Sequence, residues 1–432
     1  MSRVLEVADG LWTGELDTEH HHPLQLFGDF AEMQPGVAFV AAFSNVATVA
    51  TDEGLVIVDT SSPFMCTRVH QIVREWRTDP AHTIVFTHGH IDHVFGVEHY
   101  EQDAADQGRP APRVVAHESI GDRFRRYVET AGWNTNINAR QFLGAESAAR
   151  RFKLHEHFQW PTDYRYPDET YRDTLDLEIG GEPVELHHDR GETDDHTWVW
   201  FPERKVLCTG DLFIWASPNC GNPQKVQRYP KEWAAALRKM HALGAETLLP
   251  GHGYPIVGAD RVRQALTETA ALLESLHDQT VALMNQGASL DEIIHAVEAP
   301  ADLIDRPYLR PVYDEPEFVV HNVYRFYGGW WDGNPAHLKP APQPEVAREL
   351  AALAGGPDRL AERARELVAT GDQRLAGHLV EWAVLAAPDD ADVLQAHADV
   401  NQARAESATS TMARGVFSTA AAESRASLDD DD

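Results

Sequence analysis

The stretch Val85-Phe-Thr-His-Gly-His-Ile-Asp-His-Val94 crowds three histidines and one aspartate into the six positions that begin at His88. Packing alone gives no reason for such a cluster. A divalent ion of borderline softness favours imidazole nitrogen and carboxylate oxygen, and two such ions side by side call for about six or seven ligands. His88, His90, Asp92 and His93 supply four of them. The apolar run Thr83-Ile-Val-Phe86 reads as a short strand, so His88 follows a strand end, where α/β folds gather their ligands. On such a loop, residues at i and i+2 face one ion while i+4 and i+5 face its neighbour. The chain has 23 histidines, so a merely histidine-rich loop is the bland alternative. Further candidate ligands downstream argue against it.

Those candidates follow in chain order. Gly191-Glu-Thr-Asp-Asp-His196 ends in a histidine just before the strand-like Trp198-Val-Trp-Phe201. Leu207-Cys-Thr-Gly-Asp211 delivers an aspartate after another β-rich run, and Leu249-Pro-Gly-His-Gly253 delivers a histidine after the last one. Each lies at a strand end, as convergence of distant segments on one edge of a sandwich requires.

Outward from the cluster, residues 37–50 and 54–59 read as strands joined by a turn at Thr51-Asp52-Glu53-Gly54, and 66–76 as an amphipathic helix. Residues 113–116, 179–187, 198–201, 205–208 and 247–249 supply the remaining strands. Between them, the polar and aromatic stretch 119–176 reads as an insertion or lid. From Asp260 the composition turns to Ala, Leu, Glu and Arg. Residues 261–286 form one long helix, and another begins at Ser289 with Glu292 completing a capping box. An aromatic connector, 308–344, leads to a region helical throughout 345–424, with breaks at Gly355-Gly-Pro357, Gly371-Asp372 and Pro388-Asp-Asp390. These helix pairs resemble a tetratricopeptide-like array without a strict period. The expected organisation is thus 1–260 as an α/β catalytic domain, 261–425 as an all-α helical domain, and 426–432 as an acidic disordered tail.

At 432 residues the chain exceeds the roughly 100–200 residues of one domain. It carries 37 Lys plus Arg against 68 Asp plus Glu, a formal charge of −31 that argues against nucleic acid or an anionic membrane surface as partner. Cys66, Cys208 and Cys220 are far apart and form no CxxC pattern, which suits a reducing compartment. The N-terminus lacks a basic start followed by an apolar block, and the most apolar early stretch, 36–45, is too short to span a bilayer. A soluble cytoplasmic protein without membrane insertion is expected. His20-His21-His22 is an unassigned exposed run.

The ordered set HxHxDH, GxTxxH, GD and PGHG resembles the metallo-beta-lactamase superfamily over roughly residues 30–260, a four-layered αββα sandwich of metal-dependent hydrolases. The resemblance implies two Zn2+ per chain, with another divalent ion as the alternative. By that likeness His88, His90 and His196 hold one ion and Asp92, His93 and His252 the other. Asp211 bridges, and Asp59 supports the ligands from behind. A metal-bridging hydroxide would attack an ester-type substrate, with Asp92 as the catalytic residue that orients it.

Farther on, the segment from His277 to Gly287, His321-Asn-Val-Tyr324, Tyr327-Gly-Gly-Trp-Trp-Asp-Gly-Asn-Pro335 and the stretch from Met412 to Arg425 are similar to the alkyl sulfatase dimerisation domain. This implies a homodimer. Trp330 and Trp331 then read as a buried dimer or interdomain contact. Alkyl sulfatases carry glutamates where this chain has His196 and Asp211, and those enzymes add a sterol-carrier-like domain. The expected substrate is a small molecule with an anionic head, met by Asn219, Lys225 and Arg228. Trp215, with Phe213, Trp160, Tyr164 and Tyr166, would line a pocket for its apolar group. Sulfate ester hydrolysis is the first expectation. Thioesterase, lactonase or other carboxylic-ester hydrolysis is the alternative, followed by an iron-dependent oxygenase and a non-catalytic metal-binding scaffold.

Overall fold

A computed structural model describes residues 2–142 and 158–429, and they fall into two compact units. The first comprises residues 1–131, 161–288 and 292–327 in its described part. It holds two mixed sheets. One runs in the order β1 (Phe27–Gln34), β2 (Val37–Ala42), β3 (Val46–Thr51), β4 (Gly54–Val58), β5 (Ala81–Val85), β6 (Arg113–His117) and β7 (Glu169–Tyr171), antiparallel as far as β4 and parallel beyond it. The other runs from β8 (Thr174–Ile179) through β9 (Glu182–His188), β10 (Thr197–Phe201), β11 (Val206–Ile214) and β12 (Thr247–His252) to β13 (Ile256–Val257). Only the β11–β12 pair in it is parallel.

The central strands are Val-, Ile- and Ala-rich and buried on both faces: Val37 to Ala42 is buried throughout, as is Val206 to Ile214. Phe39, Val49, Val56 and Val85 of one sheet share a core with Leu186, Val199, Phe201 and Leu207 of the other. Helices Cys66–Trp76 and Val97–Asp106 cover the first sheet, and Pro230–Ala242 and Ala259–Asn285 the second. This is the expected αββα sandwich, followed by helices.

Two differences from the sequence reading have clear causes. The run 37–50 is a hairpin rather than one strand. Asn45 breaks it by accepting the Ala42 N–H at 3.1 Å and donating to the carbonyls of Pro250 and Gly253 at 2.9 and 3.0 Å. The compositional change at residue 260 is likewise no boundary between units. Helix Ala259–Asn285 lays Leu266, Leu272, Leu273 and Leu276 into the sandwich core, and that unit holds the chain to Ala288 and again from Glu292 to Tyr327.

The second unit is helical in its described part. Gln343–Ala354, Pro357–Ala369, Gln373–Ala386, Ala391–Ser407 and Thr411–Asp429 follow one another, with breaks where glycine and proline suggest them. Asp372 and Asp390 cap the third and fourth by accepting the Leu375 and Val393 amides. Small residues such as Ala364, Ala376, Ala383 and Ala396 fill its core and let the helices approach closely. Residues 426–429, expected in a disordered tail, belong to the last helix, whereas 430–432 lie outside the described residues. So does 143–157, the middle of the expected lid. Among the described residues no helix is long and apolar enough to cross a membrane.

Candidate metal centre

The strand ends of the first unit assemble the histidine cluster. β4 leads into Asp59, which adopts a left-handed φ of 62° and is buried. Its Oδ1 accepts the Thr87 amide at 2.7 Å, while Oδ2 accepts the Thr87 hydroxyl and His93 Nδ1–H, each at 2.7 Å. Asp59 therefore shapes the turn into the cluster and fixes the His93 tautomer, leaving Nε2 to face inward. His252 is set in the same way: its Nδ1–H donates to the Phe43 carbonyl.

Seven side chains form two groups. His88, His90, Glu192 and Asp211 make one, and Asp92, His93 and His252 the other; within each, the candidate ligand atoms lie within 4.8 Å of one another. Asp211 faces both, with Oδ2 3.7 Å from His88 Nε2 and 3.3 Å from His252 Nε2, and Oδ1 3.4 Å from His93 Nε2. Asp92 Oδ2 lies 3.4 Å from His252 Nε2. Glycine permits this closeness, because a Cβ on Gly251 would stand 2.1 Å from Asp211 Oδ1.

His93 Nε2, Glu192 Oε2 and Asp211 Oδ1 are buried and have no hydrogen-bond partner among the described residues. Buried polar atoms of this kind are costly unless something coordinates them. All three belong to the two groups, and their mixed imidazole and carboxylate donor set fits a pair of divalent cations.

Glu192 is the residue the sequence reading missed, and it replaces His196 in the first group. Its Oε2 lies 3.8 Å from His88 Nε2 and 3.7 Å from His90 Nδ1. His196 is fully buried, but its Nε2 accepts the Asp211 amide at 3.1 Å and its ring stacks on His88 at 4.8 Å. It thus supports Asp211 and His88 from behind. Glu192 stands in the same Gly191–His196 run, so the signal was a second ligand type in a segment read only for its histidine. Neighbouring Asp195 anchors that run: it accepts Arg123 Nε at 2.8 Å and the Gly89 amide at 3.0 Å, inside the cluster itself.

The electrostatics follow from burial and from these carboxylates. Burial holds His88 and His90 well below the usual imidazole range and lowers His196 to about 3. It pushes His93 and His252 the same way, yet Asp211 and Asp92, joined at His93 by Asp59, outweigh it. His93 rises well above its usual value and His252 to about 10. Burial lifts Glu192 to about 8 against the pull of Arg228.

The expected substrate contacts divide. Asn219 and Arg228 are buried, and both donate to Glu192 Oε1, so each spends a polar group on bracing that candidate ligand. Lys225 is half-buried amid the charges of Arg228, Asp92 and Glu192; burial first and then Arg228 lower it to about 7. Trp215 corrects the sequence reading: it is 1% exposed, packs on Tyr254 and Tyr308, and donates Nε1–H to the Tyr254 carbonyl at 2.5 Å, a core residue behind His252. Phe213 is core as well, and Tyr164 stacks on Phe124 at 4.5 Å. Tyr313, which the sequence did not single out, is half-buried near Glu192, Asp92 and Asp211; burial and these carboxylates raise its phenol well above the usual range.

Comparison with known proteins agrees with this assembly. Residues 40–252 match the family model of the metallo-beta-lactamase superfamily, and residues 289–427 that of alkyl sulfatase dimerisation. A linear primary-alkylsulfatase of a Pseudomonas strain is 30% identical over 359 residues, 79% of this chain and 66% of the relative. An (R)-specific secondary-alkylsulfatase of Pseudomonas sp. is 26% identical over 412 residues, 88% of this chain and 60% of the relative. The solved structure of a stereoselective inverting sec-alkylsulfatase from Pseudomonas sp. superposes with a TM-score of 0.80 at 25% identity, covering 92% of this chain and 66% of that one. The chain thus spans about two thirds or less of the length of these relatives. With the ligand-bearing sandwich and the helical region each matched in turn, the chain belongs to the metallo-beta-lactamase superfamily and joins that domain to an alkyl sulfatase dimerisation domain.

Proposed function

We propose that this protein is a metal-dependent hydrolase of sulfate esters, using two divalent ions, zinc first among them, held by His88, His90, Glu192, Asp211, Asp92, His93 and His252. The observation that carries the reading is the pair of ligand groups sharing Asp211; its likeness to alkylsulfatases supplies the substrate class. Such ions, when bound, lower the pKa of a water toward about 7 and polarise the ester oxygen.

The chain's own groups do the rest. Asp92 is more exposed than the other carboxylates of the set, with 19% of its side chain accessible against 5% for Asp211 and 1% for Glu192. With Oδ2 turned to His93 and His252 and part of the side chain open to solvent, it would orient the nucleophile and accept its proton. Glu192, fixed through Oε1, keeps Oε2 turned inward. Lys225 and Tyr313 bring a cation and a phenol to the side from which an anionic head would approach. The protein acts as a cytoplasmic homodimer. The exposed Trp330, 74% accessible, and its half-covered neighbour Trp331 in the matched dimerisation segment support the dimer, and the free cysteines Cys66, Cys208 and Cys220 support the compartment.

The test is turnover of alkyl sulfates, aryl sulfates, lactones, thioesters and phosphodiesters by zinc-loaded protein, with Asp92→Ala as control. Release of inorganic sulfate that disappears in the control is expected. Turnover confined to carboxylic esters or thioesters would replace the sulfatase reading, and sulfate release that persists in the control would remove Asp92 from its role.

A further inference from the structure

The His321-Asn322 pair, part of the second resemblance, has no task in the function above. Asn322 is buried on the helix Pro316–Gly328. Its side-chain amide grips the loop that follows β11. Oδ1 accepts the Arg228 N–H at 3.3 Å and Gln227 Nε2–H at 2.9 Å, while Nδ2 donates to the Arg228 carbonyl at 3.0 Å. One side chain therefore holds both main-chain polar groups of Arg228, much as a neighbouring strand would. The other end of the loop is pinned from the same segment, where Asp314 Oδ2 accepts the Gly221 amide at 2.6 Å. A Cβ on Gly221 would meet the Phe318 carbonyl carbon at 2.1 Å, so loop and helix lie backbone against backbone.

What this grip controls is the Arg228 guanidinium. It donates to Glu192 Oε1 and to the Asn219 carbonyl, and Asn219 Nδ2–H donates to the same Oε1. Glu192 is left with a single oxygen to offer, Oε2, facing His88 and His90. Without a fixed Arg228 the carboxylate would be free to rotate and to present either oxygen at varying depth.

We infer that Asn322 is a positioning residue for the metal centre: by holding Arg228 at both main-chain groups it aims Glu192 and sets the affinity of the ion nearest His88 and His90. The inference rests on the proposed metal reading and is independent of which ester is cleaved. Its chain of contacts predicts an effect on one ion of two, and coupling to Arg228. A residue that only stabilised the fold would lower the melting temperature without singling out one ion.

The experiment measures zinc stoichiometry and the two dissociation constants by chelator competition on the whole 432-residue chain. It compares wild type, Asn322→Ala, Asn322→Asp, Arg228→Ala and the Asn322→Ala/Arg228→Ala double variant, with circular dichroism and melting temperature alongside. Asn322→Asp is nearly isosteric, keeps the acceptor and loses the donor to the Arg228 carbonyl, so it serves if Asn322→Ala fails to fold. The expected result is about a 10- to 100-fold weakening of one zinc and little change in the other. The double variant should bind no more weakly than Arg228→Ala alone. Wild-type affinity for both ions in a folded Asn322 variant, or weakening that multiplies with that of Arg228→Ala, overturns the inference while leaving the metal centre standing. A wild type that binds no divalent ion overturns the metal reading, and the inference with it.

Discussion

Asp59 Oδ2 accepts the Nδ1–H of His93 at 2.7 Å from a backbone held at positive φ. The bond decides which imidazole nitrogen faces Asp211 and Asp92. Asp59→Asn should leave the sandwich folded and weaken binding of the ion nearest His93 by about 10- to 100-fold. Chelator competition with zinc or cobalt reads this directly; an unchanged affinity would mean that His93 is oriented by its neighbours alone.

Glu192 and His196 make opposite predictions. Glu192→Ala should drop the zinc content from two ions per chain toward one, since Oε2 is a candidate donor. His196→Gln should keep both ions and lose stability, because His196 Nε2 accepts the Asp211 amide. Elemental analysis of the two purified variants separates them, and one ion lost from His196→Gln would restore the histidine as a ligand.

Arg123 is 2% exposed and pairs with Asp195 and Asp194. Arg123→Ala leaves a buried carboxylate uncompensated beside the Gly89 amide, for which the cost is about 3–5 kcal/mol. Denaturant unfolding of the variant should show that loss. The Arg123→Ala/Asp195→Ala double variant should recover part of it; no recovery would mean the cost lies in packing rather than in the charge.

Asp314 gives stability a pH dependence. Burial raises its carboxyl from 3.8 to about 7, so the folded state keeps a proton that the unfolded chain releases near pH 4. The stability associated with the neutral form is fully present below pH 4 and is lost as pH climbs through 7. Relative to Asp314→Asn, wild type should therefore lose up to about 4 kcal/mol of advantage between pH 4 and 9, at roughly 1.4 kcal/mol per unit. Unfolding curves of both proteins across that range check the sign. A gap that widens toward high pH would reverse it.

The parts of this molecule that could be read from sequence are those where a residue type has one use. His88, His90, Asp92 and His93 follow a Val- and Ile-rich strand, and nothing else explains that spacing. The breaks at Gly371-Asp372 and Pro388-Asp-Asp390 became helix caps because Asp has few roles at such junctions. Residues with several uses misled. Glu192 and His196 both suit a metal, and only the path of the chain between Gly191 and β10 decides which one enters. Trp215 suits a pocket wall or a core equally, and the close approach of Gly253 to its side chain settled it as core. Asn322 carries no chemistry of its own, and its contact to Arg228 spans 94 positions; periodicity in either segment says nothing about it.

The family match for dimerisation begins at residue 289, yet Glu292–Tyr327 belongs to the sandwich unit. The inherited module and the folded module therefore have different ends. A fragment cut at the compositional border near 260 would lack Asp314 and Asn322 and would uncover the leucines of the core that Ala259–Asn285 now fills. Residues 132–142 belong to the helical unit as well, so exchange of residues 328–432 between relatives should succeed only when that earlier segment travels with them, and recombination at a single seam, whether in the laboratory or over evolutionary time, is disfavoured.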